Sequence, residues 1–300
     1  MTSSRGLAAR VALASFLVLG LVFILLPIAI VVVNSFNASP FGIWPPPGFS
    51  TRWYTNLFEN AGFGAPTVRS LEVAVISTIL SLLIGTFAGI GIARYRFVGK
   101  RAAEAFVAAP LIVPKIAIGF AAFVLFLKLG WYGDLVTVVL VHVVVTLPFV
   151  VTLVVAGLAR VDRTLEEVAT DLGAVPRQVL WRATLPQMRG ALLAAAAFAF
   201  IISFDELDAS IFVVGQTDNT LPVAMFIYME KYQDPTLAAL STLLIAASLI
   251  GALAVAVLLS RIGGLRALGA GPTPGLQPED PDPPRVAAGR GPLPTEEAHP

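Results

Sequence analysis

Val11–Val33 and Val73–Ala93 are apolar runs without a single charge, and Leu237–Leu259 is a third. Each is longer than the ~20 residues a helix needs to cross a hydrocarbon core of ~30 Å. Leu135–Ala159 matches them with only His142 inside, and Ala105–Leu127 holds one cation, Lys115. Ala191–Phe204 is shorter. At ~1.5 Å per residue it reaches about 21 Å before Asp205 and Glu206 end it. Within a bilayer every backbone N–H and C=O must be bonded internally, which leaves helices for runs of this kind. Composition agrees: 13% of residues are charged, against ~25% in soluble domains. The expectation is an all-α integral membrane protein with six transmembrane helices, five complete and the Ala191–Phe204 span interrupted.

The run after Arg5 and Arg10 is too long for a signal core and no small-residue cleavage site follows, so it is read as a retained span. With the N-terminus inside, segments 1–10, 94–104, 160–190 and 260–300 are cytoplasmic and hold fifteen of the twenty Lys and Arg residues. Arg52, Arg69, Lys128 and Lys231 fall outside, and Lys115 lies within a span. That bias places both termini on the cytoplasmic side of the membrane. Three parts follow: 1–66, a helix and outer loop; 67–260, the main body with its cytoplasmic loop 160–190; and 261–300, a Pro- and Gly-rich tail expected to be disordered. In the outer loop, Trp44, Trp53 and Tyr54 are expected to anchor at the membrane interface.

Much chemistry is missing. There is no cysteine and the histidines are His142 and His299, so thiolate sites and disulfides are excluded. No His-Glu-x-x-His, Gly-x-Ser-x-Gly or Gly-x4-Gly-Lys-Ser/Thr pattern occurs, so no catalytic, cofactor or metal residue is assigned and the chain is not expected to hydrolyse ATP itself. A net charge of +1 offers no footprint for nucleic acid. Gly85, Gly89 and Gly91 read as helix-packing positions rather than a nucleotide loop. His142, on an apolar helix, reads as a hydrogen-bonding residue facing the bundle.

The loop between the fourth and fifth runs carries the most information. Leu165, Val168, Ala169 and Leu172 recur with helical spacing on one face. Thr164 and Glu167 have capping-box spacing, and Gly173 stands where a helix terminus turns left-handed. Pro176 can open a second short helix and Pro186 is expected to end it. By itself such a pair could equally be an amphipathic connector on the membrane surface.

Glu167-Val168-Ala169-x3-Gly173-x11-Leu185-Pro186 resembles the Glu-Ala-Ala…Gly…Leu-Pro signature of type I ABC importer permeases. Val168 stands for the first usual alanine of that pair and Ala183 for a larger aliphatic residue. Ser203-Phe-Asp205-Glu206, Phe212-Val-Val-Gly215, Thr220-Leu-Pro222 and Asp234-Pro235 are similar to the spermidine/putrescine branch. The resemblance implies the type I ABC importer transmembrane domain and a subunit with no catalysis of its own. It implies that Glu167, Ala169, Gly173, Leu185 and Pro186 couple the chain to an ATPase whose closure moves the helices by alternating access. The implied partners are two ATPase subunits, a second permease subunit, an extracytoplasmic solute-binding protein and membrane lipid.

Ionisable residues at membrane depth are costly unless they meet water or a partner. Asp205, Glu206 and Asp208 after the short run, together with Lys115, are therefore the candidates for the translocation path. Residues 205–236 hold six acids against Lys231, which suits a cationic, polyamine-like solute. Lys115 points either to a pairing with one of those acids or to an anionic group on an aminophosphonate or amino-carboxylate. An intramembrane enzyme built on Asp205, Glu206 or His142 lacks metal ligands and a second nearby histidine. An ion-coupled carrier lacks matching sequence halves.

Overall fold

A computed structural model describes residues 4–59, 61–215 and 218–261, so the expected tail beyond Arg261 lies outside the described residues. The chain divides into a unit ending at Leu244 and a second from Ile245, whose described part is the end of the last helix. The long helices are α1 (Ser4–Ser35), α3 (Gly64–Arg94), α6 (Leu135–Leu158), α9 (Leu185–Phe204) and α12 (Thr236–Arg261). Between them lie α2 (Arg52–Glu59), α4 (Lys100–Ile112), α5 (Lys115–Leu129), α7 (Arg163–Asp171), α8 (Pro176–Val179), α10 (Ser210–Val213) and α11 (Leu221–Lys231). A π-helical turn, Leu180–Thr184, joins α8 to α9. Among the described residues there are isolated bridges but no strand.

In the first unit, α3, α6 and α9 pack on one another. Val73 and Ala74 of α3, Val150 and Val154 of α6, and Ala195 and Ala199 of α9 are fully buried where they meet. Small residues set how closely the backbones approach. A Cβ at Gly85 would lie 2.6 Å from the Val150 side chain, and one at Gly89 would lie 2.7 Å from Val154. One at Gly157 would lie 2.5 Å from Ala191. Hydroxyls stitch the same seam: Ser81 bonds Thr146 at 2.7 Å and Ser77 donates to the Val139 carbonyl. The packing role expected of Gly85 and Gly89 is therefore present; Gly91 has open space around it.

Three expectations are corrected. The broken span is the third, not the fifth: α4 and α5 meet at 103° across Val113-Pro114. Pro114 cannot donate and disfavours helix in the residue before it, and Val113 is extended at φ −74°, ψ 129°. The thirteen residues of α4 rise only ~20 Å, too short to cross a bilayer without α5. The fifth span is instead continuous from Pro176 to Phe204. Pro186 does not end that helix: it follows the π-helical turn Leu180–Thr184 as the second residue of α9, and the helix runs on through it. Finally, Trp53 is 7% exposed and donates its indole N–H to the Asn37 carbonyl at 2.6 Å, while the Tyr54 hydroxyl bonds Ser35. Those two rings hold the 34–59 loop together; Trp44 remains exposed.

Candidate functional site

The break at Pro114 makes Lys115 the first residue of α5, with its ammonium aimed across the bundle. It donates to Glu206 Oε2 at 2.8 Å. The carboxylate is 1% exposed and the lysine side chain 41% exposed. Glu206 Oε1 accepts the Ala209 backbone N–H at 3.0 Å, so the buried acid has a bond on each oxygen. Two buried serines flank it. His142 of α6 bridges them, Nδ1 to Ser203 at 2.7 Å and Nε2 to Ser210 at 2.8 Å. That is the hydrogen-bonding, bundle-facing role expected for this histidine. Backbone contact closes the assembly: a Cβ at Gly119 of α5 would lie 2.6 Å from the Ala209 carbonyl.

Segment 203–213 is thus tied to α5 by an ion pair and to α6 by an imidazole. Of the four expected path residues, Lys115 and Glu206 are brought together and answer each other. Asp205 and Asp208 are not buried as Glu206 is, and they make no ion pair among the described residues. Ser203 and Ser210 carry no signal of their own in the sequence. They stand on different helices, α9 and α10, so no single helical period relates them.

A second cluster forms where α3 ends beside the 162–184 loop. Helix α7 is capped by Asp162, whose side chain accepts the Thr164 N–H at 2.9 Å, in place of the expected Thr164–Glu167 box. A carboxylate one residue outside the helix satisfies an orphan donor and complements the positive helix end. Gly173 adopts φ +87°, the left-handed conformation expected, and a Cβ there would have nothing within 4 Å. Pro176 opens α8, also as expected.

The expected apolar face does not find a core. Leu165 is 52%, Val168 48% and Leu172 84% exposed. Glu167 and Gly173 are exposed as well, whereas Ala169 and Leu185 are not fully so. The acid that turns inward is Glu166, paired to Arg94 at 3.0 Å and accepting the Thr184 hydroxyl at 2.7 Å. Beside them lies an open groove of about 1010 Å³ bordered by Tyr95, Arg163, Glu167, Arg177 and Trp181.

The model of the family described as binding-protein-dependent transport system inner membrane component matches residues 81–264. The putrescine transport system permease protein PotI of Escherichia coli (strain K12) is 33% identical over 239 residues, 77% of this chain and 84% of that protein. The spermidine/putrescine transport system permease protein PotC of the same strain is 34% identical over 229 residues, covering 76% and 86%. The putative 2-aminoethylphosphonate transport system permease protein PhnV of Salmonella paratyphi A is 29% identical over 263 residues, covering 87% and 98%. Among solved structures, a bacterial ABC transporter involved in alginate import has a chain similar at TM-score 0.67 and 14% identity, covering 87% of this chain and 98% of that one. The MetNI methionine ABC transporter matches at TM-score 0.52 and 19% identity, covering 73% and 98%.

Proposed function

The chain belongs to the binding-protein-dependent transport system inner membrane components, and on that premise we propose that it carries a small polyamine-like cation inward by alternating access. It is a multi-pass inner-membrane permease subunit of an ABC importer, not an enzyme, and works with an ATPase and a binding protein. The proposed assembly has two ATPase subunits and a second permease chain, with both termini and the 160–190 loop on the cytoplasmic side. Glu167, Ala169, Gly173, Leu185 and Pro186 form the part of that loop and its root that receives the ATPase. Support comes from the unpartnered apolar residues of α7 and Leu172, which a partner would cover.

The observation that carries the solute reading is the neutralised pair at the broken span. Glu206 is already matched by Lys115, so the pair adds no net charge, and Asp205 and Asp208, exposed and without an ion pair among the described residues, would leave such a path negative. Two fixed carboxylates in a narrow aqueous path raise the local concentration of a cation. The polyamine permeases at 33% and 34% identity support the same class.

One observation favours a second reading, a zwitterion with an anionic group. The Lys115 side chain is partly exposed and its ammonium uses one of its three donors on Glu206, and a relative is named for 2-aminoethylphosphonate. Uptake of putrescine and of 2-aminoethylphosphonate by the complete importer separates the two. For a cation, Asp205→Asn with Asp208→Asn lowers putrescine uptake several-fold, while Lys115→Met with Glu206→Gln leaves most of it. Loss of 2-aminoethylphosphonate uptake in the Lys115/Glu206 double variant alone establishes the second reading. No effect of either double variant on either solute places the path elsewhere.

A further inference from the structure

Glu166 precedes the glutamate of the signature and sits in the first turn of α7. Its Oε1 meets two groups from different elements. One is the guanidinium of Arg94, the last residue of the long helix α3. The other is the hydroxyl of Thr184, the 5%-exposed last residue of the π-helical turn from which α9 grows. A single carboxylate oxygen therefore joins the loop helix to the ends of two spans that pack on each other and on α6. Arg94 and Glu166 side chains are 17% and 19% exposed, so salt screens the pair less than a surface pair. Charge-assisted bonds to one oxygen are also among the stronger contacts available to a short helix with no buried residue of its own.

The loop divides its labour by side. Leu165, Val168 and Glu167 are exposed, while Glu166 alone among the acids of α7 pairs with a span. The joint it holds includes the π-helical turn, a register that often marks a functional position inside a longer helix. A push on α7 is delivered to α3 through Arg94 and to α9 through Thr184 at once. With Glu166 removed, α7 would keep its Asp162 cap, its Gly173 turn and the bond from the Asp162 N–H to the Gln187 side chain of α9, but lose its link to α3 and to Thr184.

We propose that Glu166 is the positioning residue that transmits movement of the loop to α3 and α9, a role separate from docking. The proposal rests on the reading that this loop receives the ATPase. Its test is the amount of solute moved per ATP hydrolysed by the complete importer in proteoliposomes, with putrescine and 2-aminoethylphosphonate as probes. Glu166→Ala and Arg94→Ala each lower that ratio about tenfold, the scale of one hydrogen bond to a charged group. The reciprocal exchange Arg94→Glu with Glu166→Arg restores most of it. A purely structural role would lower the yield of assembled complex and leave the ratio unchanged.

Glu166→Gln, which keeps an acceptor for Thr184, serves where the alanine variant assembles poorly, and it also lowers the ratio. A measurement independent of the solute uses spin labels at Arg96→Cys and Asp171→Cys. Their distance distribution is narrow in the native background, broadens with Glu166→Ala and narrows again in the exchanged pair. Gly173→Val is the control for the docking reading: normal transport in that variant removes the reading itself. If Gly173→Val stops transport while every Glu166 variant keeps the native ratio and a narrow distribution, the docking role stands and Glu166 does not transmit the movement.

Discussion

Lys115 and Glu206 show what a buried charge requires of its neighbours. The carboxylate is 1% exposed and is bonded by the ammonium on one oxygen and the Ala209 N–H on the other. Lys115→Met strands it, and a buried charge that loses its partner costs about 3–5 kcal/mol. Adding Glu206→Gln removes the stranded charge while keeping an acceptor for the Ala209 N–H. The double variant is therefore expected to melt closer to the native protein than Lys115→Met alone, by differential scanning fluorimetry in detergent. The opposite order would mean that the pair is not coupled. Gly173 makes a different demand. Its surroundings are open, so the obstacle to a side chain is backbone conformation alone, about 1–3 kcal/mol for a β-branched residue at φ +87°. Asparagine visits that region readily. Gly173→Asn should thus retain most ATP-driven uptake where Gly173→Val loses it, and equal loss in both would point to a steric cause instead.

At the scale of elements, the breaks matter more than the helices. Proline at 114 ends one helix and lets the next begin with a charged residue, and the short α10 then packs against that new helix through Gly119. Gly119→Val would drive a branched side chain into the Ala209 backbone, an overpacking of about 1–3 kcal/mol. Gly91→Ala, with open space inside a helix, should hold or slightly raise the melting temperature. Similar shifts in both variants would contradict the close approach of α5 and α10. The long uncharged runs are legible in the sequence because hydrocarbon admits little besides helix, and Gly85, Gly89, Gly173 and Pro176 are legible because small or cyclic residues have few reasons to stand where they do. The broken third span is not, because the apolar count over Ala105–Leu127 does not register a proline that splits it. Pro186 misleads for the converse reason: a π-helical turn before it lets the helix run on, and no residue pattern in 180–184 announces that register. Glu166 is hidden behind Glu167 because the pairing with Arg94 joins residues far apart in the chain, and spacing within one loop carries no trace of it.

For the molecule as a whole, the charge asymmetry predicts a sidedness. A cysteine placed at Arg177 should be shielded from impermeant thiol reagents in intact cells, and one at Thr51 should react; the chain has no native cysteine to confuse the labelling. Labelling at 177 and protection at 51 would invert the proposed topology. Above all, this permease is expected to move its solute only when an ATPase acts on the 162–186 loop. Uptake of putrescine by the purified importer, reconstituted with its binding protein and assayed with and without internal ATP, tests that dependence most directly when native and Gly173→Val complexes are run side by side. The expected result is ATP-dependent accumulation by the native complex and none above background by the variant at equal assembly. Accumulation by the variant at the native rate, or uptake by the native complex that does not need ATP, would contradict it.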